Sequence, residues 1–117
     1  PFPPRPPSDL VEVVRAEFSG NDRAIAEGKT TGLVKVMVVK GRPVGASIVG
    51  PQAGELIQVW ALAIANKLKM SAISNMVAPY PTLGEVNKRA AGAYFSPKLF
   101  DSPTVKRVVG AVQRWLP

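Results

Sequence analysis

The sequence predicts an α+β domain, on three observations. Strand signals fill its first half and culminate in one clear hairpin. A long apolar helical stretch follows the hairpin, and a second amphipathic helix closes the chain.

Residues 1–8 (PFPPRPPS) form neither helix nor strand, because proline lacks the N–H donor and restricts the residue before it. They read as a stiff Pro-rich linker, with a polyproline II ligand as the alternative use of PPRPP, and the domain is expected over 9–117. From Asp9 to Phe18 the β-branched residues Val11, Val13 and Val14 predict a strand. Ser19-Gly20-Asn21-Asp22 is a cluster of turn formers, and Arg23–Glu27 is expected to make one helical turn closed by Gly28.

The stretch Gly32–Gly50 is the clearest hairpin, with strands over Leu33–Val39 and Val44–Val49 and a turn at Lys40-Gly41-Arg42-Pro43. In the first of these strands both faces are largely apolar, so the sheet is expected to be covered on much of both sides. Gln52–Met70 then shows Ala53, Leu56, Ile57, Trp60, Ile64 and Leu68 at helical spacing. Within it Val59–Ala65 is apolar all the way round. A second subunit could bury the face opposite the sheet; a central helix sandwiched inside one monomer explains the pattern equally.

Ser71–Met76 is predicted as a short helix. Pro79 and Pro81 then flank Tyr80 and break regular structure, which makes Tyr80–Pro81 a candidate cis bond. Thr82-Leu83-Gly84-Glu85 fits a capping box, opening a helix expected to end at Gly92 after Ala91. Residues 93–101 read as irregular. Ser102 as N-cap and Pro103 at the first helical position announce the last helix, over 103–116, with a stripe of Val105, Val108, Val109, Val112, Trp115 and Leu116.

Bulk properties narrow the chemistry. A chain of 117 residues has room for one domain with a real core. It contains no cysteine and no histidine, which excludes thiol chemistry, disulfides, imidazole acid–base work and His-bearing zinc sites. The longest mostly apolar run, Leu56–Ala65, contains Gln58 and falls short of the about 20 residues a membrane span needs. The net charge of +7 raises nucleic-acid binding, but Lys67, Lys69, Lys88, Arg89, Lys98, Lys106, Arg107 and Arg114 are scattered and no aromatics alternate with them. No nucleic acid is therefore expected as a partner. A free-standing protein-interaction module using the apolar helix and PPRPP is the other alternative.

Several segments in order resemble one family. Asn21-Asp22-Arg23-Ala24 with Gly32-Leu33-Val34-Lys35, Val44-Gly45-Ala46-Ser47-Ile48-Val49-Gly50, and Ala53-Gly54-Glu55-Leu56-Ile57 are similar to the C-terminal dimerisation domain of FAD-dependent pyridine nucleotide–disulfide oxidoreductases, which include dihydrolipoamide dehydrogenase, glutathione reductase and mercuric reductase. The resemblance covers roughly residues 12–91, and the Pro-rich start stands where the family's domain usually has an initial strand segment. It implies an antiparallel sheet with helices packed against it and a homodimer, with Glu55, Leu56, Val59, Trp60, Ala63 and Ile64 at the interface. It also implies upstream domains of the same polypeptide holding FAD and NAD(P)H. No G-x-G-x-x-G fingerprint or C-x4-C pair occurs here, so the fragment alone is expected to bind no flavin and to be inactive. A cytoplasmic setting is expected, with or without membrane attachment of the complete protein.

In this family a His-Pro-Thr motif followed by Glu reaches across the dimer, the His serving the thiols as acid–base and the Glu orienting it. The matching residues are Tyr80-Pro81-Thr82-Leu83-Gly84-Glu85. The resemblance thus places Tyr80 and Glu85 in the catalytic position of the intact dimer and Pro81 near the partner's flavin. A phenol, with a pKa of about 10, does not take a proton at neutral pH as imidazole does; Tyr80 could instead donate a hydrogen bond or contact a substrate ion. Mercuric reductases are similar in having Tyr here, but the cysteine pair they carry near the C-terminus has no counterpart. Read from the residues alone, Glu85 serves equally as a helix cap and Tyr80 as an interfacial aromatic.

Overall fold

The computed structural model describes residues 10–101. The Pro-rich linker at 1–8 and the expected helix at 103–116 lie outside the described residues. Three antiparallel strands form one sheet in the order β1-β2-β3: β1 (Glu12–Glu17), β2 (Leu33–Val39) and β3 (Arg42–Val49). A 3₁₀ turn at Phe18–Gly20 and α1 (Asp22–Glu27) connect β1 to β2. After β3 come α2 (Ala53–Ala65), α3 (Met70–Ser74) and α4 (Glu85–Asp101). The α+β class and the antiparallel sheet agree with the sequence expectation.

Pairing puts Val14 opposite Val36 and Val36 opposite Ala46, so one face gathers Ala16, Val34, Val36, Val38 and Ile48. The helices α2 and α4 cover this face. Ala16, Val34, Val36 and Val38 are buried there together with Phe18, Trp60, Met70, Ile73 and Val86. Coverage of both faces was expected; among the described residues only this one is covered. On the other face Val13 and Val49 are exposed, and Leu33, Lys35, Met37 and Val39 are half-buried. Part of that shielding is local, since the end of the Met37 side chain lies over Gly45.

Local chemistry explains where elements end differently from the sequence reading. The hairpin turn is tighter than expected: Lys40 and Gly41 have φ of 52° and 77°, the two positive values a two-residue turn demands. Arg42 and Pro43 therefore enter β3, where Pro43 stands opposite Val38 beside a bulge, as an outer strand permits. Gly32, at φ 123°, cannot be replaced, because a Cβ there would come 1.9 Å from the Val49 carbonyl oxygen.

The helix expected over Gln52–Met70 stops at Ala65. Asn66 caps it, Lys67 turns left-handed at φ 52°, and the Met70 amide donates to the Gly41 carbonyl at 2.8 Å. Arg42 adds a bond from Nε to the Lys67 carbonyl at 2.9 Å. Met70 consequently opens α3 rather than closing α2. The helix expected over Thr82–Ala91 instead runs Glu85–Asp101, through residues read as irregular. Gly92 ends nothing because it lacks the left-handed conformation of a C-cap glycine, whereas Gly28, at φ 69°, does close α1. Beyond Gly92, Tyr94 packs on the core and Ser96 Oγ bonds back to the Gly92 carbonyl at 3.3 Å.

One buried polar group fixes α2 against α4. Asn87 is fully buried; its Oδ1 accepts from Trp60 Nε1 at 2.8 Å and its Nδ2 donates to the Leu56 carbonyl at 2.9 Å. Asn87→Ala removes both bonds and leaves an indole N–H and a carbonyl unpaired in a dry site, which should cost about 2–5 kcal/mol. Urea unfolding of this variant against the parent chain checks that loss.

Candidate functional site

The segment from Pro79 to Glu85 forms a corner between α3 and α4, and each of its polar groups is tied to something specific. Tyr80–Pro81 is cis, as the sequence suggested. Thr82 Oγ1 donates to the Pro79 carbonyl at 2.6 Å, and the Thr82 amide donates to Glu85 Oε2 at 3.3 Å. Only the glutamate half of the expected capping box is therefore made, because the threonine hydroxyl is turned back to Pro79. The first turn of α4 is completed by tight backbone bonds such as Val86 N–H to the Leu83 carbonyl at 3.0 Å.

Asn21 joins this corner to the start of α1. Its Oδ1 accepts the Ala24 amide at 2.9 Å, capping α1, while its Nδ2 donates to the Thr82 carbonyl at 3.1 Å. Both bonds are sheltered, since Asn21 is buried. Arg89 makes a second tie, from Nη1 to the Gly20 carbonyl.

Tyr80 stands outward from this frame with 70% of its surface exposed, and its hydroxyl donates to Asp22 Oδ2 at 2.8 Å. The Asp22 bond, then the charge of Asp22, then partial desolvation and lastly the charge of Glu85 raise the phenol's pKa above its ordinary value of 10.0. Because the folded value is the higher one, the bond contributes fully below pH ~10 and is lost as pH rises through the raised value. Tyr80 is thus a neutral phenol at physiological pH. A cleft of about 510 Å³ opens beside it, lined by Asn21, Asp22, Tyr80, Glu85, Lys88 and Arg89 among others.

Of the residues singled out from sequence, the structure brings Tyr80, Pro81 and Glu85 together at this corner. The six interface candidates on α2 separate. Leu56, Trp60 and Ala63 are buried in the chain's own core, because they face the sheet and α4; Val59 and Ile64 are half-buried and Glu55 is exposed. The outer stripe of α2 is instead Glu55, Gln58, Ala61, Leu62 and Ala65, with Leu62 63% exposed. The sequence reading missed Asp22, Asn21, Asn87 and Leu62. An Asn directly before Asp22-Arg23-Ala24 was a readable N-cap signal, whereas the partners of Asp22 and Asn87 lie 58 and 27 residues away. Among the described residues no group of three Asp or Glu is placed to hold a metal ion, and no helix is long and apolar enough to cross a membrane.

This sheet, helix order and corner define a dimerisation-domain fold. Residues 7–91 match the family model described as pyridine nucleotide-disulphide oxidoreductase, dimerisation domain, and the chain belongs to that family. Mercuric reductase from Acidithiobacillus ferrooxidans is 40% identical over 74 residues, covering 62% of this chain and 14% of that protein. Dihydrolipoyl dehydrogenase from Geobacillus stearothermophilus is 36% identical over 85 residues, covering 69% and 18%. Among solved structures, LpdA from Mycobacterium tuberculosis is similar with a TM-score of 0.68 at 27% identity, over 72% of this chain and 19% of that one. The HOCl-induced flavoprotein disulfide reductase RclA from Escherichia coli shares the fold at a TM-score of 0.68 and 21% identity, over 72% and 20%. The chain thus spans less than a fifth of the length of these curated relatives.

The double role of Asn21 is separable. Asn21→Asp keeps an acceptor for the Ala24 amide but sets a carboxylate against the Thr82 carbonyl. Hydrogen exchange at Thr82 and Glu85 should speed up while α1 stays protected, and Asn21→Ala should lose α1 as well, at about 1–2 kcal/mol.

Proposed function

We propose that the chain is the C-terminal dimerisation part of a flavin-dependent NAD(P)H oxidoreductase and presents its Tyr80-Pro81-Thr82 corner to the active site of a second subunit. The observation that carries this reading is the exposed Tyr80 side chain on a corner whose other polar groups are tied within the chain. The chain itself offers that corner nothing to act on, for it contains neither cysteine nor histidine.

In this reading the outer stripe of α2 meets its symmetry mate. Leu62 supplies the apolar centre, Ala61 and Ala65 allow close approach, and Glu55 and Gln58 lie toward the rim. Val77, three residues before Tyr80, is a further apolar side chain left 91% exposed. FAD and NAD(P)H belong to upstream domains of the complete polypeptide. Among the described residues no glycine-rich strand-to-helix turn forms a cradle for a dinucleotide, so no step is assigned to flavin or nicotinamide within this chain. The phenol of Tyr80 cannot replace imidazole as a base near neutrality, so its part is polar contact rather than proton removal. Nucleic-acid binding is disfavoured by the use of Arg89 on the Gly20 carbonyl and by the mixed charge of the cleft.

Sedimentation velocity separates interface from core. The parent chain should sediment as a dimer, and Leu62→Glu should give a folded monomer with unchanged far-UV circular dichroism. Trp60→Glu should unfold the chain instead, since it places a charge in the core. A dimer undisturbed by Leu62→Glu, or a parent chain monomeric at high concentration, would count against the α2 interface.

A further inference from the structure

Tyr80 is oriented by a different carboxylate from the one its sequence motif suggests. Glu85, the motif's acid, spends Oε2 on the Thr82 amide at 3.3 Å. The hydroxyl proton of Tyr80 goes to Asp22 Oδ2 at 2.8 Å. Asp22 is the first residue of α1, directly after Asn21, whose amide grips both α1 and the Thr82 carbonyl. The carboxylate and the phenol are therefore held by one frame although 58 residues separate them.

A phenol has one proton to give and two lone pairs to offer. Here the proton is committed to Asp22 at the surface, so what the hydroxyl of Tyr80 has left to present is an acceptor. We propose that Asp22 is a positioning residue that turns the Tyr80 hydroxyl into an outward-facing hydrogen-bond acceptor, suited to a protonated donor group on a partner subunit. The coupling of Asp22 to Tyr80 stands within the single chain; only the identity of the facing group rests on the proposed active-site role.

The charged groups around the hydroxyl are Asp22 from α1 and Glu85, Lys88 and Arg89 from α4, all lining the same cleft. Arg89 is engaged by the Gly20 carbonyl. Asp22 contributes most to keeping the phenol protonated, through its bond and then its charge, and Glu85 acts more weakly and only through charge.

Tyrosinate absorbance followed through alkaline pH tests the assignment. The chain has two tyrosines, so a Tyr94→Phe background isolates Tyr80. Its midpoint should lie above that of an ordinary tyrosine. Asp22→Asn should shift it clearly down, and Glu85→Gln should shift it less. If the Tyr94→Phe chain does not fold, the ring-carbon NMR titration of Tyr80 in otherwise unaltered protein gives the same comparison. A midpoint unmoved by Asp22→Asn, or moved as far by Glu85→Gln, overturns the role of Asp22. In the complete flavoenzyme, Tyr80→Phe, which removes the acceptor, should lower kcat/KM without altering flavin absorbance, and Asp22→Asn should lower it less. A shifted midpoint combined with full activity of Tyr80→Phe keeps the Asp22–Tyr80 coupling and overturns the acceptor role at a partner's active site.

Discussion

Between α2 and α4 the side chain of Asn87 accepts from Trp60 and donates to the Leu56 carbonyl, and the Asn87 and Trp60 side chains are fully buried. An amide that must satisfy two partners on one helix leaves little choice of where the other helix lies, because each misplaced bond would strand a polar group in a dry interior. That placement sets the start of α4, and the start of α4 sets Thr82 and Glu85. Trp60 gains a partner for its indole N–H while its ring is fully buried in the same core cluster as Val34, Val36 and Val38, so packing and polarity specify the same arrangement.

From there the order passes to the surface through Asn21, which spends one side chain on two distant segments. The outcome is a corner whose inner groups are held by three separate hydrogen bonds, while its outermost ring, bonded through its hydroxyl to Asp22, remains exposed. Such a division suits the proposed presentation of Tyr80 to a second subunit. The relatives are five or more times longer than the matched segment.

The sequence made the hairpin legible because the β-branched run of β2 and the turn residues after it are local signals, although Arg42 and Pro43, read as turn, belong to β3. Helix ends were harder. Gly92 looked like a stop, but a glycine stops a helix only when its backbone turns left-handed, and packing of Tyr94 kept α4 going. Conversely, nothing local announced the break after Ala65; it follows from the Met70 amide reaching the Gly41 carbonyl across 29 residues. The family motif disclosed Tyr80 and Glu85 as neighbours. It could not disclose Asp22, whose bond to Tyr80 depends on how α1 docks. Likewise, the all-apolar run of α2 hid which face is core. The folded burial, with Trp60 bonded to Asn87 and Leu62 63% exposed, shows which residue faces inward and which outward.

The hairpin tip deserves a different treatment from ordinary surface turns. Loops at the end of a hairpin usually accept inserted residues, tags or new chain ends. At Lys40-Gly41, however, the carbonyl of Gly41 anchors α3, and the adjacent Arg42 holds the turn that ends α2. Lengthening this tip would release α3, on which Met70 and Ile73 enter the core. An exposed two-residue turn is thereby among the least editable points of the chain, and engineering of this domain is better directed to the solvent side of α1.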